Sequence, residues 1–213
     1  MAERSVDAVV FDYGGVLTAP VRTSTKQWLA AEGIDVDGFY LVMREWMAAE
    51  AELGSPVHQL ETGELTGEDF SQALAVRLRT EAGLPVSAEG LLGRMLEGLV
   101  PDPEMDALVE DVRATGVRVG LLSNSWGNTY PEDIATRFDP VVISGEVGLR
   151  KPDPRIYEVA LDALAIAPER VAFVDDMPVN VAAATELGIH AVRHTDASAT
   201  RSALAELLPE LAA

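Results

Sequence analysis

Polar side chains that could do chemistry follow three apolar runs in this sequence, at the point where each run ends. Asp12 follows the first run, Ser123 the second, and the pair Asp175 and Asp176 the third. Apolar runs that are rich in β-branched residues and bounded by turn signals predict buried parallel strands. Because the carboxyl ends of parallel strands meet at the sheet edge where ligands bind, we expect these side chains to lie close together.

These residue types suit the transfer of a phosphoryl group. Carboxylates bind Mg²⁺ in proteins while leaving positions for water and substrate phosphate. Lys151, in the loop before Pro152, brings a positive charge to the same edge, and together with Ser123 it could hold phosphate oxygens. The remaining aspartate would be free to attack phosphorus, which splits one displacement into two through an aspartyl-phosphate. Three carboxylates that converge without a cation would repel one another, which also favours a metal.

The turn after Asp12 has two interpretations when it is taken alone. Gly14 and Gly15 would let backbone N–H groups approach an anion closely. Alternatively, Asp12 only caps a strand-to-loop turn in which the glycines supply positive φ angles.

Two patterns of secondary structure must position these residues. Between Thr18 and Pro101 the periodicity is helical, which is typical of a lid or cap on an α/β core; a continuous helical part of one domain is the alternative. From Pro103 onward helices and strands alternate, which predicts a mainly parallel sheet. The predicted strands are 8–11, 117–122, 141–144, 171–174 and 189–192. The predicted helices are 25–32, 39–53, 70–82, 87–99, 105–114, 154–164, 178–187 and 199–208, with a further helical stretch after Pro131.

The composition excludes several classes of partner and site. The formal net charge is −19, from 35 acidic and 16 basic residues, so nucleic acids and anionic lipid surfaces would be repelled. The chain has no cysteine, which excludes disulfides, thiolate metal sites and a cysteine nucleophile. Neither a signal-peptide pattern nor an apolar run of membrane-spanning length is present. We therefore expect a cytoplasmic protein without nucleic-acid or membrane partners, either a monomer or a homodimer.

Four short segments, in the right order along the chain, resemble the motifs of the haloacid dehalogenase-like superfamily. They are DYGGVLT at 12–18, LSN at 122–124, GLRKP at 148–152 and FVDDMPVN at 173–180. The resemblance covers essentially the whole chain. It implies an α/β fold with a Rossmann-like core at 1–18 and 100–213 and an inserted, all-helical cap at 19–99.

The resemblance also implies which residues handle the phosphate. Asp12 would be the nucleophile, and Ser123 and Lys151 would be catalytic ligands of the phosphate group. Gly15 and Asn124 would make further contacts with it.

A magnesium site is implied in the same way. Mg²⁺ would be held by Asp12, the Gly14 carbonyl oxygen and the pair Asp175 and Asp176. Within that pair Asp176 is expected to be the firmer ligand, whereas Asp175 would bind directly or through water. Asn180 would contact these ligands without contacting the metal itself.

One position departs from the family pattern. Phosphatases of this family usually have a second aspartate two residues after the nucleophile, where it protonates the leaving oxygen and later activates water; this chain has Gly14 there. General acid–base help of that kind is typically worth roughly 10²–10⁴-fold in rate. Three explanations remain open: a leaving group that needs little protonation, such as an acyl or anomeric phosphate; a proton supplied by a cap residue or water; or poor turnover.

Several residues outside the motifs are weaker candidates. Glu45, Glu50, His58 and Glu61 could serve as acids or specificity residues of the cap, but we interpret each as an ordinary solvated side chain. Trp126, directly after the second motif, is expected to border the substrate.

These observations predict a Mg²⁺-dependent phosphohydrolase that acts on a small phosphorylated metabolite, such as a sugar phosphate, through an aspartyl-phosphate. A phosphotransferase or mutase with the same intermediate is one alternative. A weakly active or non-catalytic phospho-ligand binder is another, because of Gly14. A haloacid dehalogenase is disfavoured, because such enzymes need no metal and usually lack the acidic pair at Asp175 and Asp176.

Overall fold

A five-stranded parallel sheet forms the centre of the molecule in a computed structural model, which describes residues 3–48, 54–127 and 130–212. The strand order is β3-β2-β1-β4-β5, so the strand that ends at Asp12 is the central one. In chain order the strands are β1 Ala8–Phe11, β2 Arg118–Ser123, β3 Val141–Ile143, β4 Val171–Asp175 and β5 His190–Arg193.

Helices cover both faces of this sheet, which explains why β1 is apolar without alternation. Val9 and Phe11 pack on one face against the helices Pro103–Ala114 and Ala197–Leu207. Ala8 and Val10 pack on the other face against the helices Pro154–Leu164 and Pro178–Glu186. The helices of this part are α6 Pro103–Ala114, α7 Ile134–Arg137, α8 Ser144–Val147, α9 Pro154–Leu164, α10 Pro178–Glu186 and α11 Ala197–Leu207.

The segment between β1 and α6 forms a helical cap with a hydrophobic cluster of its own. Trp28 and Trp46 lie inside that cluster. The chain leaves the sheet and returns to it at adjacent points, because Thr18 and Pro101 form an antiparallel bridge. The fold class is therefore confirmed as α/β with an inserted helical cap. The cap helices are α1 Val21–Glu32, α2 Val36–Met47, α3 Pro56–Glu61, α4 Gly67–Arg77 and α5 Leu91–Leu96.

The predicted helix 39–53 is wrong at its C-terminal end, because helix α2 ends at Met47. The sequence pattern predicts no helix at Pro56–Glu61, where α3 lies. Ser55 caps α3, because its side-chain oxygen accepts a hydrogen bond from the His58 backbone N–H at 3.3 Å. Residues 49–53 lie outside the described part of the chain.

Two further predicted elements are shorter than expected. The helix predicted at 87–99 is reduced to α5, because Gly90 adopts a left-handed conformation with φ of +60° directly before it. The strand predicted at 141–144 ends one residue earlier, since Ser144 begins α8. The other predicted strands and helices are present, with ends that differ by a few residues at most positions.

None of the helices within the described ranges combines the length and the apolar character that a membrane crossing requires.

Candidate active site

Three aspartates converge at the carboxyl edge of the sheet. Asp12, Asp175 and Asp176 each place a carboxylate oxygen within 4.8 Å of the others. The register explains this proximity: Phe11 pairs with Val174, so the residues after them are neighbours on adjacent strands. The side chains of Asp12 and Asp175 are buried, whereas Asp176 is only partly so.

Lys151 supplies the positive charge of this cluster. Its ammonium group lies 2.7 Å from Asp12 Oδ1 and 2.8 Å from Asp175 Oδ2, and it donates a third hydrogen bond to the Leu122 carbonyl oxygen at 3.0 Å. The side chain is only 1% exposed. One lysine therefore faces three carboxylates, and the cluster keeps an excess of negative charge.

The pKa values of two aspartates in the cluster are raised. Burial, with a further contribution from Asp175 and against the effect of Lys151, raises the pKa of Asp12 to about 7. Burial and the Asp175 charge also raise the pKa of Asp176. A divalent cation would oppose both shifts, because it favours the ionised carboxylates. The donor set, all oxygen and rich in charge, fits Mg²⁺.

The two aspartates of the pair are not equivalent. Asp175 is saturated: its oxygens accept hydrogen bonds from the Met177 backbone N–H at 2.7 Å and from the Asn180 amide at 3.0 Å, besides the contact with Lys151. The Asp176 carboxylate lies instead beside the turn that follows Asp12, since a Cβ atom on Gly15 would lie 2.9 Å from Asp176 Oδ2. Asp176 is therefore the more available metal ligand.

Ser123 ends β2 beside the cluster with its hydroxyl group oriented by a tyrosine. The Tyr130 hydroxyl donates to Ser123 Oγ at 2.9 Å, which leaves the serine's own hydrogen for a ligand oxygen. Burial raises the pKa of Tyr130 to about 12, so it stays a donor. Its ring packs edge-on against Tyr13 at 5.0 Å. Sequence reasoning missed Tyr130, because no local pattern marks it.

Asn124 contacts Lys151 rather than the three clustered aspartates. Its Oδ1 accepts from the Lys151 backbone N–H at 2.8 Å, and its Nδ2 donates to the Lys151 carbonyl oxygen at 3.1 Å. Both polar ends of the amide are thus used inside the protein. If Asn124 contacts phosphate as predicted, the contact would come from its backbone.

The two glycines after Asp12 differ in their structural demands. Gly15 has φ of +80°, and its N–H donates to Thr18 Oγ1 at 3.0 Å, so that this donor is already used. Gly14 lies outside the left-handed region, and a Cβ atom there would meet only Val21 Cγ2, at 3.8 Å. The position of the missing aspartate therefore has room for a side chain.

Glu61, interpreted from the sequence as solvated, is a buried contact between the cap and the core. Only 4% of it is exposed, and its carboxylate accepts hydrogen bonds from Asn124, Trp126 and Arg150. The solvated interpretation is therefore wrong for Glu61, because tertiary packing brings three core donors onto it. Trp126 lies at this junction of cap and core, with its indole N–H 2.8 Å from Glu61 Oε1.

The other cap candidates are less involved. Glu45 is exposed and pairs with Arg77 at 2.8 Å, as expected of a solvated side chain. His58 is half-buried, and burial together with the nearby Arg150 charge lowers its pKa. Glu50 lies outside the described residues.

Known proteins with similar sequences include two phosphatases. The chain is 30% identical over 159 residues to a sesquiterpene phosphatase of Aspergillus oryzae, covering 70% of this chain and 78% of that protein. It is 40% identical over 96 residues to a phosphoserine phosphatase of Thermus thermophilus and 29% identical over 197 residues to acyl-CoA dehydrogenase family member 10 of mouse. The matches cover 42% and 89% of this chain, respectively, but only 39% and 18% of those two proteins.

Solved structures share the fold. A predicted HAD-like family hydrolase from Porphyromonas gingivalis superposes with a TM-score of 0.70 at 24% identity, covering 96% of this chain and 98% of that one. A HAD family enzyme from Bacteroides thetaiotaomicron, in complex with magnesium and inorganic phosphate, gives a TM-score of 0.63 at 22% identity, covering 89% of this chain and 94% of that one.

A family model for the haloacid dehalogenase-like hydrolases matches residues 6–188. That range contains β1, the cap, and the strands that end at Ser123 and Asp175. This chain belongs to the haloacid dehalogenase-like hydrolases.

Proposed function

We propose that this protein is a Mg²⁺-dependent phosphohydrolase that cleaves a small phosphorylated metabolite through an aspartyl-phosphate on Asp12. The observation that carries the proposal is the buried cluster of Asp12, Lys151, Asp175 and Asp176. It joins a nucleophile, a cation for phosphate oxygens and oxygen ligands for a metal in one place.

The contacts of Asp12 favour one of its oxygens as the attacking atom. Both the Tyr13 backbone N–H and the Lys151 ammonium group contact Oδ1, each at 2.7 Å. These contacts hold the carboxylate in one orientation and leave Oδ2 for phosphorus. Attack forms the bond from Oδ2 to phosphorus and breaks the bond to the leaving oxygen, which departs as an anion and takes its proton from water. A second water then attacks phosphorus and breaks the bond to Oδ2. Its protons go to the released phosphate and to solvent, and the Asp12 carboxylate is restored.

The remaining residues stabilise charge on the phosphoryl group. The Ser123 hydroxyl and the Lys151 ammonium group would bind its oxygens, as preorganised donors at the place where negative charge develops. Bound Mg²⁺, held by Asp12, Asp176, the Gly14 carbonyl oxygen and Asp175 directly or through water, would neutralise phosphate charge and keep Asp12 ionised at neutral pH.

The relatives support phosphoryl chemistry, and Gly14 limits the substrate. Two of the compared relatives are phosphatases, and one structural neighbour holds magnesium and phosphate. Without an acid at Gly14, substrates whose leaving group needs little protonation are favoured, such as acyl or anomeric sugar phosphates. The missing acid is also the specific reason to keep a phospho-ligand binder as the second candidate. The helical cap, which we place at 19–99, would set substrate specificity.

Phosphate release in the presence of Mg²⁺ tests this proposal. A panel of sugar, acyl and nucleotide phosphates is assayed with the wild-type protein, with Asp12→Asn and, as a matched control, with Asp162→Asn, an exposed aspartate on α9. We expect turnover that EDTA removes, that Asp12→Asn abolishes and that Asp162→Asn leaves unchanged. Activity that survives in Asp12→Asn would exclude Asp12 as the nucleophile. If Mg²⁺ and BeF₃⁻ bind but no substrate turns over, the protein is a binder.

A further inference from the structure

The Glu61 carboxylate is surrounded by donors from the core, although Glu61 itself is the last residue of cap helix α3. Arg150 Nε donates to its Oε2 at 2.5 Å and Trp126 Nε1 to its Oε1 at 2.8 Å. The Asn124 amide approaches Oε2 at 3.4 Å. All three donors lie in the two loops that follow β2 and α8.

The backbone around Glu61 is fixed to the core as well. Ser144 Oγ donates to the Glu61 carbonyl oxygen at 2.5 Å. Two residues later, Gly63 packs so closely that a Cβ atom there would lie 2.5 Å from the Gly145 carbonyl oxygen. The cap therefore meets the core at a tight contact, and the carboxylate of Glu61 lies within it.

Stability alone is a poor explanation for a charge at this place. Burying an ion pair costs desolvation energy, and a well-packed apolar pair of similar volume is often equally stable or more so. A hydrogen-bonded carboxylate, in contrast, fixes the direction of each donor that it accepts. The contacts of Glu61 therefore suit orientation better than stabilisation.

Two of the three residues that Glu61 contacts are linked to Lys151. Arg150 precedes Lys151 in the chain, and the Asn124 amide pairs with both the N–H and the carbonyl group of Lys151. The ammonium group of Lys151 in turn lies between Asp12 and Asp175. We propose that Glu61 is a positioning residue, which ties the cap to the Arg150 and Asn124 loops and thereby sets the place of Lys151 in the active site.

This inference rests on the proposed function and adds a role for the cap in the chemistry. The active site is complete only while the cap is seated, because withdrawal of Glu61 leaves Arg150 and the Asn124 amide without this acceptor. Catalysis and cap closure are therefore linked through one carboxylate.

The test compares two cap glutamates that each pair with an arginine. Glu61→Gln removes the charge at the junction, and Glu45→Gln removes the charge of the exposed Glu45–Arg77 pair, which contacts no core residue in the described part of the chain. The measurements are kcat and KM with p-nitrophenyl phosphate, the affinity for inorganic phosphate in Mg²⁺ by calorimetry, and the melting temperature. A double variant, Glu61→Gln with Arg150→Met, removes both charges of the buried pair.

We expect Glu61→Gln to lower kcat and phosphate affinity by about tenfold or more, as loss of an outer contact to a catalytic group typically does, and Glu45→Gln to change neither. The double variant should regain melting temperature relative to Glu61→Gln but not kcat. Recovery of kcat in the double variant, or wild-type kcat and phosphate affinity in Glu61→Gln, would overturn the inference. If the wild-type protein binds phosphate but hydrolyses nothing, the proposed function fails. The role of Glu61 as a positioning residue is then tested by the phosphate affinities of the wild type and Glu61→Gln alone. If it neither binds nor hydrolyses phosphate, both fail.

Discussion

Replacing Gly14 with aspartate should supply the acid that phosphatases of this family usually have at that position. A Cβ atom at Gly14 meets only Val21 Cγ2, at the ordinary contact distance of 3.8 Å, and the backbone there is outside the left-handed region. The neighbouring position could not accept the change, since Gly15 has φ of +80° and lies against Asp176. Gly14→Asp is therefore expected to fold, with a carboxyl group beside the leaving oxygen.

The size of the effect depends on the leaving group. A positioned general acid contributes roughly 10²–10⁴-fold to rate, which corresponds to about 2.7–5.4 kcal/mol at 1.36 kcal/mol per factor of ten. The ratio kcat/KM reports the steps up to release of the leaving group. p-Nitrophenolate leaves without help, so Gly14→Asp should change its kcat/KM little. For an alkyl phosphate such as glycerol phosphate, kcat/KM should rise by a large part of that range.

The assay is a plot of log(kcat/KM) against the pKa of the leaving alcohol, for the wild-type protein, Gly14→Asp and the neutral control Gly14→Asn. We expect a steep slope for the wild type and Gly14→Asn, and a flatter one for Gly14→Asp. A flat slope in the wild-type protein would mean that another group already protonates the leaving oxygen. A folded Gly14→Asp variant that still binds Mg²⁺ but is no faster on alkyl phosphates would refute the reasoning about the missing acid.

Three further predictions concern the metal, the serine and the cap. Mg²⁺ at one hundred times its dissociation constant should stabilise the fold by about 2.7 kcal/mol, or roughly 5–11 °C in melting temperature for a chain of this size; Asp176→Asn should remove most of this shift. Tyr130→Phe should weaken phosphate binding about two- to tenfold, the range of one net hydrogen bond, because the Ser123 hydroxyl loses its donor. Burial and Arg150 lower the pKa of His58, so its contribution to stability is present above the unfolded value of about 6.5 and is lost as pH falls through the folded pKa. Urea unfolding at pH 8 and pH 5 should therefore show a smaller loss of stability in His58→Gln than in the wild type.

Each of these predictions has a result that contradicts it. An unchanged melting temperature in Mg²⁺, measured against the EDTA-treated protein, would argue against the carboxylate cluster as a metal site. If the losses of phosphate affinity in Tyr130→Phe and Ser123→Ala add up in the double variant, the two hydroxyl groups act independently. Tyr130 would then not act through Ser123. Equal pH dependence in His58→Gln and wild type would show that His58 titrates alike in the folded and unfolded chains.

The arrangement of the sheet could be predicted because the signals are local. An unbroken apolar run such as Ala8–Phe11 marks a strand covered on both faces, and the parallel topology then brings the strand ends together. Helix α9 was predicted with its observed ends, since Asp153 caps it and Pro154 occupies its first position. The family resemblance supplied the roles that geometry alone leaves open.

The parts that could not be predicted depend on contacts between distant segments. Glu61 looks like any glutamate at the end of a short helix, and its burial comes from Arg150 and Trp126, far along the chain. Tyr130 likewise gains its partner, Ser123, only through the path of a loop. The early end of helix α2 was missed because the helical spacing of apolar residues gave no sign that it would stop at Met47.

The central claim, a covalent phosphoryl group on Asp12, is tested most directly by trapping it. A single-turnover reaction with ³²P-labelled substrate and Mg²⁺ is quenched in acid, and the labelled peptide is identified by mass spectrometry, with Asp12→Asn treated in parallel. We predict label on the peptide that contains Asp12 and none in the variant. Two results would contradict the account: turnover in the wild-type protein with no labelled peptide at the earliest quench time, or label on a residue other than Asp12.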